Sequence, residues 1–529
     1  MSHRKGTLLS LISVFLGVGL TLGFLLFANH GGSTIGMAAS SITRVRYVAQ
    51  GGSDTANDCR DSSNPCASLQ HAVDQANPGD EVRVADGDYA GTQVITHTNG
   101  YTYTQVVFID KRLTLRGGYS TSNWDQSNAD KNPTIIDADG FGRGVTIIDT
   151  RDDVVTVESL KITNGDYTGL GNPPSTSNMK CSATENCGGG LYVYNSAVEL
   201  RNLLITGNTA GSVDSEGGGI YFWSVRNAVI DSVAVSNNTA TGGGGFSVIY
   251  QYWPVVIRNS KFENNRSENG GGGIFLRSNI NSLITFEDSE IRDNQVSSGE
   301  GGGIKARLSN DGLILRMDRV YLQNNQANGR GFAIYLDAAG NVTPTVKLTN
   351  LILTGNQRLA GTVDSPDDAV ISVTPDFTNL IVDLTHITGA DNPVESFLYA
   401  EPSYKAEKFV TVTLSNTLLS GFVNAFSAKE DTETEVTIHH DHSLFYEVTN
   451  VDNNLGGSPT FETLNLSWGD PKLKPDYHLA SDSPAIDAGM DAGVIDDIDG
   501  NTRPFNNIMD IGADEWVQLS FYLPLIINK

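Results

Sequence analysis

Lys305 and the two arginines that share its setting, Arg277 and Arg307, are the residues best equipped for chemistry. A lysine between cations is pushed toward its neutral, proton-accepting form, while arginines can neutralise an acidic group beside it. The same residues also occur on plain surface strands. Six rings, Tyr192, Tyr194, Tyr221, Trp223, Phe275 and Tyr335, fall in the same class of position. Exposed together they would form an interaction surface, suited to sugar rings that stack on aromatic faces while hydroxyls bond to polar neighbours. Asp497, Asp499 and Asn501 are spaced like the opening of a calcium loop, although no glutamate stands at the twelfth position. Calcium is the one cofactor this suggests. His439-His440-Asp441-His442 offers metal ligands but reads better as a solvated turn. Asp152-Asp153 is a paired carboxylate without a matching acid and histidine.

These residues come together only if the chain is a stack of repeats. Asn208, Asn238, Asn265, Asn294, Asn325 and Asn356 recur at intervals of 27 to 31 residues. Alternating apolar residues precede each one, such as Val198, Leu200, Leu203 and Ile205 before Asn208. A glycine cluster follows: Gly188–Gly190 starts the series, then Gly217–Gly219, Gly242–Gly245, Gly270–Gly273 and Gly301–Gly303, weakening to Gly329-Arg330-Gly331. Short bursts of period-two alternation are strands with one buried face, and about three bursts per unit give three strands per coil. One unit cannot bury its own inner face, so stability has to come from stacking. The expected fold is all-β, a right-handed parallel β-helix, with the asparagines bonding along one corner and the glycines supplying positive φ at another. A propeller has longer units and no asparagine column. After each glycine run the inward positions are apolar: Leu191 and Val193, Ile220 and Phe222, Ile274 and Leu276, Ile304 and Ala306. The outward positions are Tyr192 and Tyr194, Tyr221 and Trp223, Ser247 and Ile249, Phe275 and Arg277, Lys305 and Arg307, then Ala333 and Tyr335. Stacked about 5 Å apart they make a stripe, aromatic at one end and cationic in the middle.

The 529 residues are 39% hydrophobic, enough for a continuous core, and carry a formal charge of −26. That charge excludes a nucleic-acid partner and suits a soluble extracellular protein. Residues 1–39 start with Arg4-Lys5 and continue into an apolar run, as in a signal peptide or signal anchor. A membrane is contacted only through this segment, and only if it is not cleaved. Cys59 with Cys66, and Cys181 with Cys187, read as two loop-stapling disulfides of an exported chain.

Phe262-Glu263-Asn264-Asn265 followed by Gly270–Gly273-Ile274 resembles the FxxN and GG[A/I] repeats of polymorphic outer-membrane proteins, and roughly residues 80–450 resemble the pectin-lyase-like β-helix superfamily. No autotransporter barrel follows. The segment 40–80, with Leu69, Ala72, Val73 and Ala76 on one helical face, is similar to the N-terminal helical cap of exported bacterial β-helix proteins. The helix proper is assigned to 81–455. Ser483-Pro484-Ala485-Ile486-Asp487-Ala488-Gly489 and Asp510-Ile511-Gly512-Ala513-Asp514-Glu515 resemble the C-terminal module of the same proteins, which implies a cap over 456–516 and a secreted or cell-surface location. An apolar tail, 517–529, completes the chain. Lyases of the superfamily abstract a proton beside a uronate carboxylate, which would give Lys305, Arg277 and Arg307 a catalytic role, but the motif sets of the familiar lyases and polygalacturonases are missing. The sequence therefore points first to a β-helix that binds a polysaccharide along the stripe. A polysaccharide lyase and a passive adhesin or surface spacer are the alternatives, and the oligomeric state is left open.

Overall fold

The computed structural model describes residues 44–168, 170, 187–211, 215–277, 282–361, 365–376, 378–402, 408–431 and 433–518. The chain is a right-handed parallel β-helix. Among the described residues, 29 strands join into one wound sheet, parallel throughout except for the hairpin of Gln93–Thr96 with Thr102–Ile109. Each coil stacks on its equivalent in register: Ile220 on Leu191, Phe246 on Ile220, Ile274 on Phe246 and Ile304 on Ile274. The inward residues form a single apolar core running from Val48 to Val448.

The two sequence markers do different structural jobs. Asn238 Oδ1 accepts from the main-chain N–H of Asn208 (2.9 Å) and from its Nδ2 (3.0 Å), and the pattern repeats through Asn265, Asn294, Asn325 and Asn356. The ladder gains a further rung at Asn392, which accepts from the Asn356 N–H at 2.8 Å. Each side chain thereby satisfies main-chain groups that the bend removes from the sheet. Gly188, Gly217, Gly243, Gly271, Gly301 and Gly331 lie between φ 59° and 71°. All but Gly331 stand two residues before a glycine that packs directly against the asparagine ladder, rather than at a corner opposite it. The next glycines are required by close approach instead, since a Cβ on Gly219 would stand 2.7 Å from the Gly245 carbonyl oxygen.

At the N-terminal end the helix Leu69–Gln75 buries Leu69, Ala72 and Val73, with Ser68 as its N-cap. Cys59 and Cys66 are disulfide-bonded beside it, Cα atoms 5.1 Å apart. Cys187 is also disulfide-bonded, whereas Cys181 lies outside the described residues, as do the N-terminal apolar segment and the tail from 519. Among the described residues no helix is long and apolar enough to cross a membrane. The last coil carries polar groups inward, with His440 hydrogen-bonded to Asp452 (3.1 Å) and Thr463 (2.8 Å). Residues 473–516 pack along the flank of the stack, where Leu479, Ala485 and Ile511 meet Leu418 and Leu444, and Ile498 and Ala513 meet Ile352.

Candidate functional site

The stripe exists, but its two halves have different fates. Its aromatic end is interior. Tyr192, Tyr221 and Trp223 are 1%, 0% and 9% exposed, and form a second core with Tyr103, Phe108, Ile148 and Ile249. Ile95, Tyr101 and Tyr103 of the hairpin bring this cover down onto the strands. Arg143 is buried against the same rings, its guanidinium 3.5 Å from the Tyr167 ring centroid and 4.4 Å from that of Tyr192. These three aromatic residues, expected on the surface, are therefore packing residues. Tyr194 is half-buried, 4.7 Å from Trp223 between ring centroids.

The middle of the stripe is open. Phe275, Lys305 and Tyr335 stack in register on consecutive coils. The ε-amino group of Lys305 lies 5.8 Å from the Phe275 ring centre and 5.5 Å from that of Tyr335. Both rings and all three cations line one groove of about 360 Å³, together with Ser215, Glu216, Thr241, Asn269, Glu300, Asp337 and Asp376. Glycine clears space for it. A Cβ on Gly242 would meet the Phe275 ring at 2.8 Å, and one on Gly270 would clash with the Lys305 side chain.

The register corrects the sequence alignment by two residues. Gly331 is the equivalent of Gly301, so Ile334 pairs with Ile304 and Asp337 pairs with Arg307. Ala333 is buried, and Asp337 takes the outward position. The Asn–Gly spacing around Gly329-Arg330-Gly331 is ambiguous, but the inward alternation of Ile334 and Leu336 would have resolved it.

Each cation of the groove has an acidic partner. Arg277 pairs with Glu216, Lys305 Nζ lies 2.7 Å from Glu300, and Arg307 lies 3.3 Å from Asp337 and 3.6 Å from Asp376. The unopposed cation trio expected from sequence is not formed. Three bases against four acids leave a formal charge of −1. Burial, strengthened by Asp376 and opposed by Arg307, raises the Asp337 carboxyl to about 6. Burial likewise raises the Tyr335 phenol, so it remains a neutral hydroxyl. Glu216 is 4% exposed, and its Oε2 has no hydrogen-bond partner among the described residues.

The other candidate sites resolve differently. Asp497 is fully buried. Its carboxylate accepts the N–H groups of Asp499 (2.9 Å), Asn501 (2.7 Å) and Glu515 (3.1 Å), together with the Asn501 side chain (3.1 Å). The Asp497, Asp499, Asn501 spacing is therefore an Asx-type turn rather than an open calcium loop. His439, His440 and His442 bond separately to Glu462, Asp452 and Asp441.

Residues 143–326 match the family model described as a right-handed β-helix region. Among solved structures the chain is similar to XylC in its complex with xylose, at 10% identity and a TM-score of 0.38 over 89% of this chain and 98% of that one. It is likewise similar to pectate lyase Pel9A, at 14% identity and a TM-score of 0.36 over 89% and 96% of the two chains. For the Family 28 exopolygalacturonase of Yersinia enterocolitica the figures are 13%, 0.36, 81% and 79%. No curated protein matches the sequence.

Proposed function

We propose that this chain is an exported β-helix protein that binds an extended, uncharged polysaccharide across the groove around Lys305. The observation that carries this is the stacking of Phe275, Lys305 and Tyr335 in register along one groove. A C–H face of a sugar would lie on Phe275 or Tyr335 while its hydroxyls bond to polar groups of the wall. Thr241, Ser215 and Asn269 supply further polar contacts along the wall. The near balance of charge favours a neutral chain over a polyuronate, which would have to displace Glu216 or Glu300 from its cation.

A lyase is the second reading, favoured by Lys305 standing between Arg277 and Arg307 in the same groove. It requires Glu300 to release Lys305 when substrate enters. The purified chain is screened against neutral and uronate polysaccharides, following both retention on immobilised polymer and absorbance of unsaturated product, with and without calcium. Retention on a neutral polymer, lost at least tenfold in Phe275→Ala and Tyr335→Ala, supports the binder. Unsaturated product that vanishes in Lys305→Ala would replace it with the lyase. Retention unaffected by all three substitutions removes the groove from the function.

A further inference from the structure

His478, Asp499 and Asp514 come from three separate segments of the C-terminal module, yet one ligand atom of each lies within 4.8 Å of the other two. Their orientation is fixed from behind. His478 Nδ1 faces the Asp476 main-chain oxygen at 3.1 Å, which turns Nε2 toward Asp499 Oδ2 at 2.9 Å. Asp514 is 5% exposed, and its Oδ2 accepts the Leu479 N–H at 2.7 Å. An imidazole whose other nitrogen is held by a carbonyl oxygen, with its outer nitrogen aimed at carboxylates, is the second-shell arrangement found around bound metals. Asp499 is half-exposed, so an ion and its remaining water ligands have a path in from solvent.

We infer that His478, Asp499 and Asp514 bind a divalent transition-metal ion of the zinc class. One nitrogen and two carboxylate oxygens, completed by water, fit zinc in number and kind. Calcium takes six to eight oxygens and has little use for imidazole. The ion would replace the hydrogen that joins His478 to Asp499 and would tie the start, middle and end of the module together. Its role is structural: it holds the module closed where Ile498 and Ala513 meet the stack at Ile352.

The test uses the purified chain, stripped with a chelator and titrated with zinc chloride, read by calorimetry and native mass spectrometry. One zinc ion per chain is expected, with affinity reduced at least tenfold in His478→Gln and in Asp499→Asn and unchanged in His442→Gln. Zinc should raise the melting temperature of the parent chain and not that of His478→Gln. The Asp499 side chain is half-exposed and that of His478 mostly buried, and an unchanged circular dichroism spectrum shows that the variants are folded. Absence of zinc binding, or binding that survives in both variants, overturns the site and leaves His478 as an ion-paired clasp. Loss in His442→Gln alone would move the metal to the last coil and equally overturn it.

Discussion

The Asn294 side chain is held by four hydrogen bonds, accepting from the Asn265 N–H (3.0 Å) and Nδ2 (3.1 Å) and donating to Phe262 O (2.8 Å) and Asn325 Oδ1 (3.0 Å). The residue is 1% exposed, so alanine there strands the Asn265 N–H and the Phe262 carbonyl of the preceding coil. Asn294→Ala is expected to cost about 3–5 kcal/mol. Asn264, next to the ladder residue Asn265, is exposed and sits at φ 55°, where glycine is at ease. Asn264→Gly should stay within about 0.5 kcal/mol of the parent. Urea unfolding midpoints of the two variants check the contrast, and equal losses would mean that the ladder is incidental. Asp337 belongs to the same scale. Its folded carboxyl, at about 6, stands above the ordinary 3.8, so between those values the native state binds more protons than the unfolded one. Stability from this group is thus present below about pH 4 and lost as pH rises through 6. The stability of the parent chain relative to Asp337→Asn should fall by roughly 2–3 kcal/mol between pH 4 and pH 7. Parallel pH profiles in denaturant would show that Asp337 is an ordinary carboxylate.

At the scale of elements, the repeat was legible because each coil repeats the same inward alternation and the same corners, so register follows where glycine, asparagine and the alternation agree. What covers the coils was not legible from that periodicity. The hairpin over the aromatic end has its own signal, Asn99-Gly100 between two alternating runs, with Gly100 at φ 85° and His97 N–H donating to Tyr101 O at 2.8 Å. It lies outside the repeat, and a stripe counted only along the coils leaves it out. Rings that alternate outward are surface residues only if nothing folds back over them. The groove residues Lys305, Arg277, Arg307, Phe275 and Tyr335 were readable as neighbours, whereas their acidic partners were not. Glu216 and Glu300 lie in the turns before the strands, and Asp337 was hidden by the two-residue misregister. This division separates two substitutions that look alike in sequence. Trp223→Ala should lower stability by about 3–5 kcal/mol by opening the second core, and leave retention on polymer within twofold. Phe275→Ala should do the reverse. Denaturant midpoints and retention measured on the same samples check the pair, and loss of retention in Trp223→Ala with stability intact would return the buried rings to the binding surface.

For the whole molecule, the decisive contact is between the stack and its own C-terminus. One outward column reads Leu204, Ala234, Lys261, Glu290, Tyr321, Ile352, Thr388, Leu418 and Leu444 from coil to coil. It is polar or small through its middle and turns apolar where the module lies on it. Ile352, Leu418 and Leu444 are at most 1% exposed although they point away from the core. Polar contacts set the register of this docking. Arg319 lies 2.9 Å from Asp496, Thr388 accepts the Ala513 N–H at 2.9 Å, and Asn416 accepts from Met490 N and donates to its carbonyl oxygen, both at 2.8 Å. Stacking stabilises coils locally, so the module is not needed to form them. Its removal instead leaves an apolar ladder at strand spacing, a surface that associates with itself. A chain ending at Gly469 should therefore keep its β-sheet circular dichroism but form dimers or larger species in light scattering at micromolar concentration. Leu418→Asp and Leu444→Asp in that truncated chain should return it to a monomer, because charge on the ladder opposes association without touching the core. A truncated chain that is monomeric from the outset would show that the flank needs no cover; one that loses its β-sheet spectrum would show that the module supports the coils themselves.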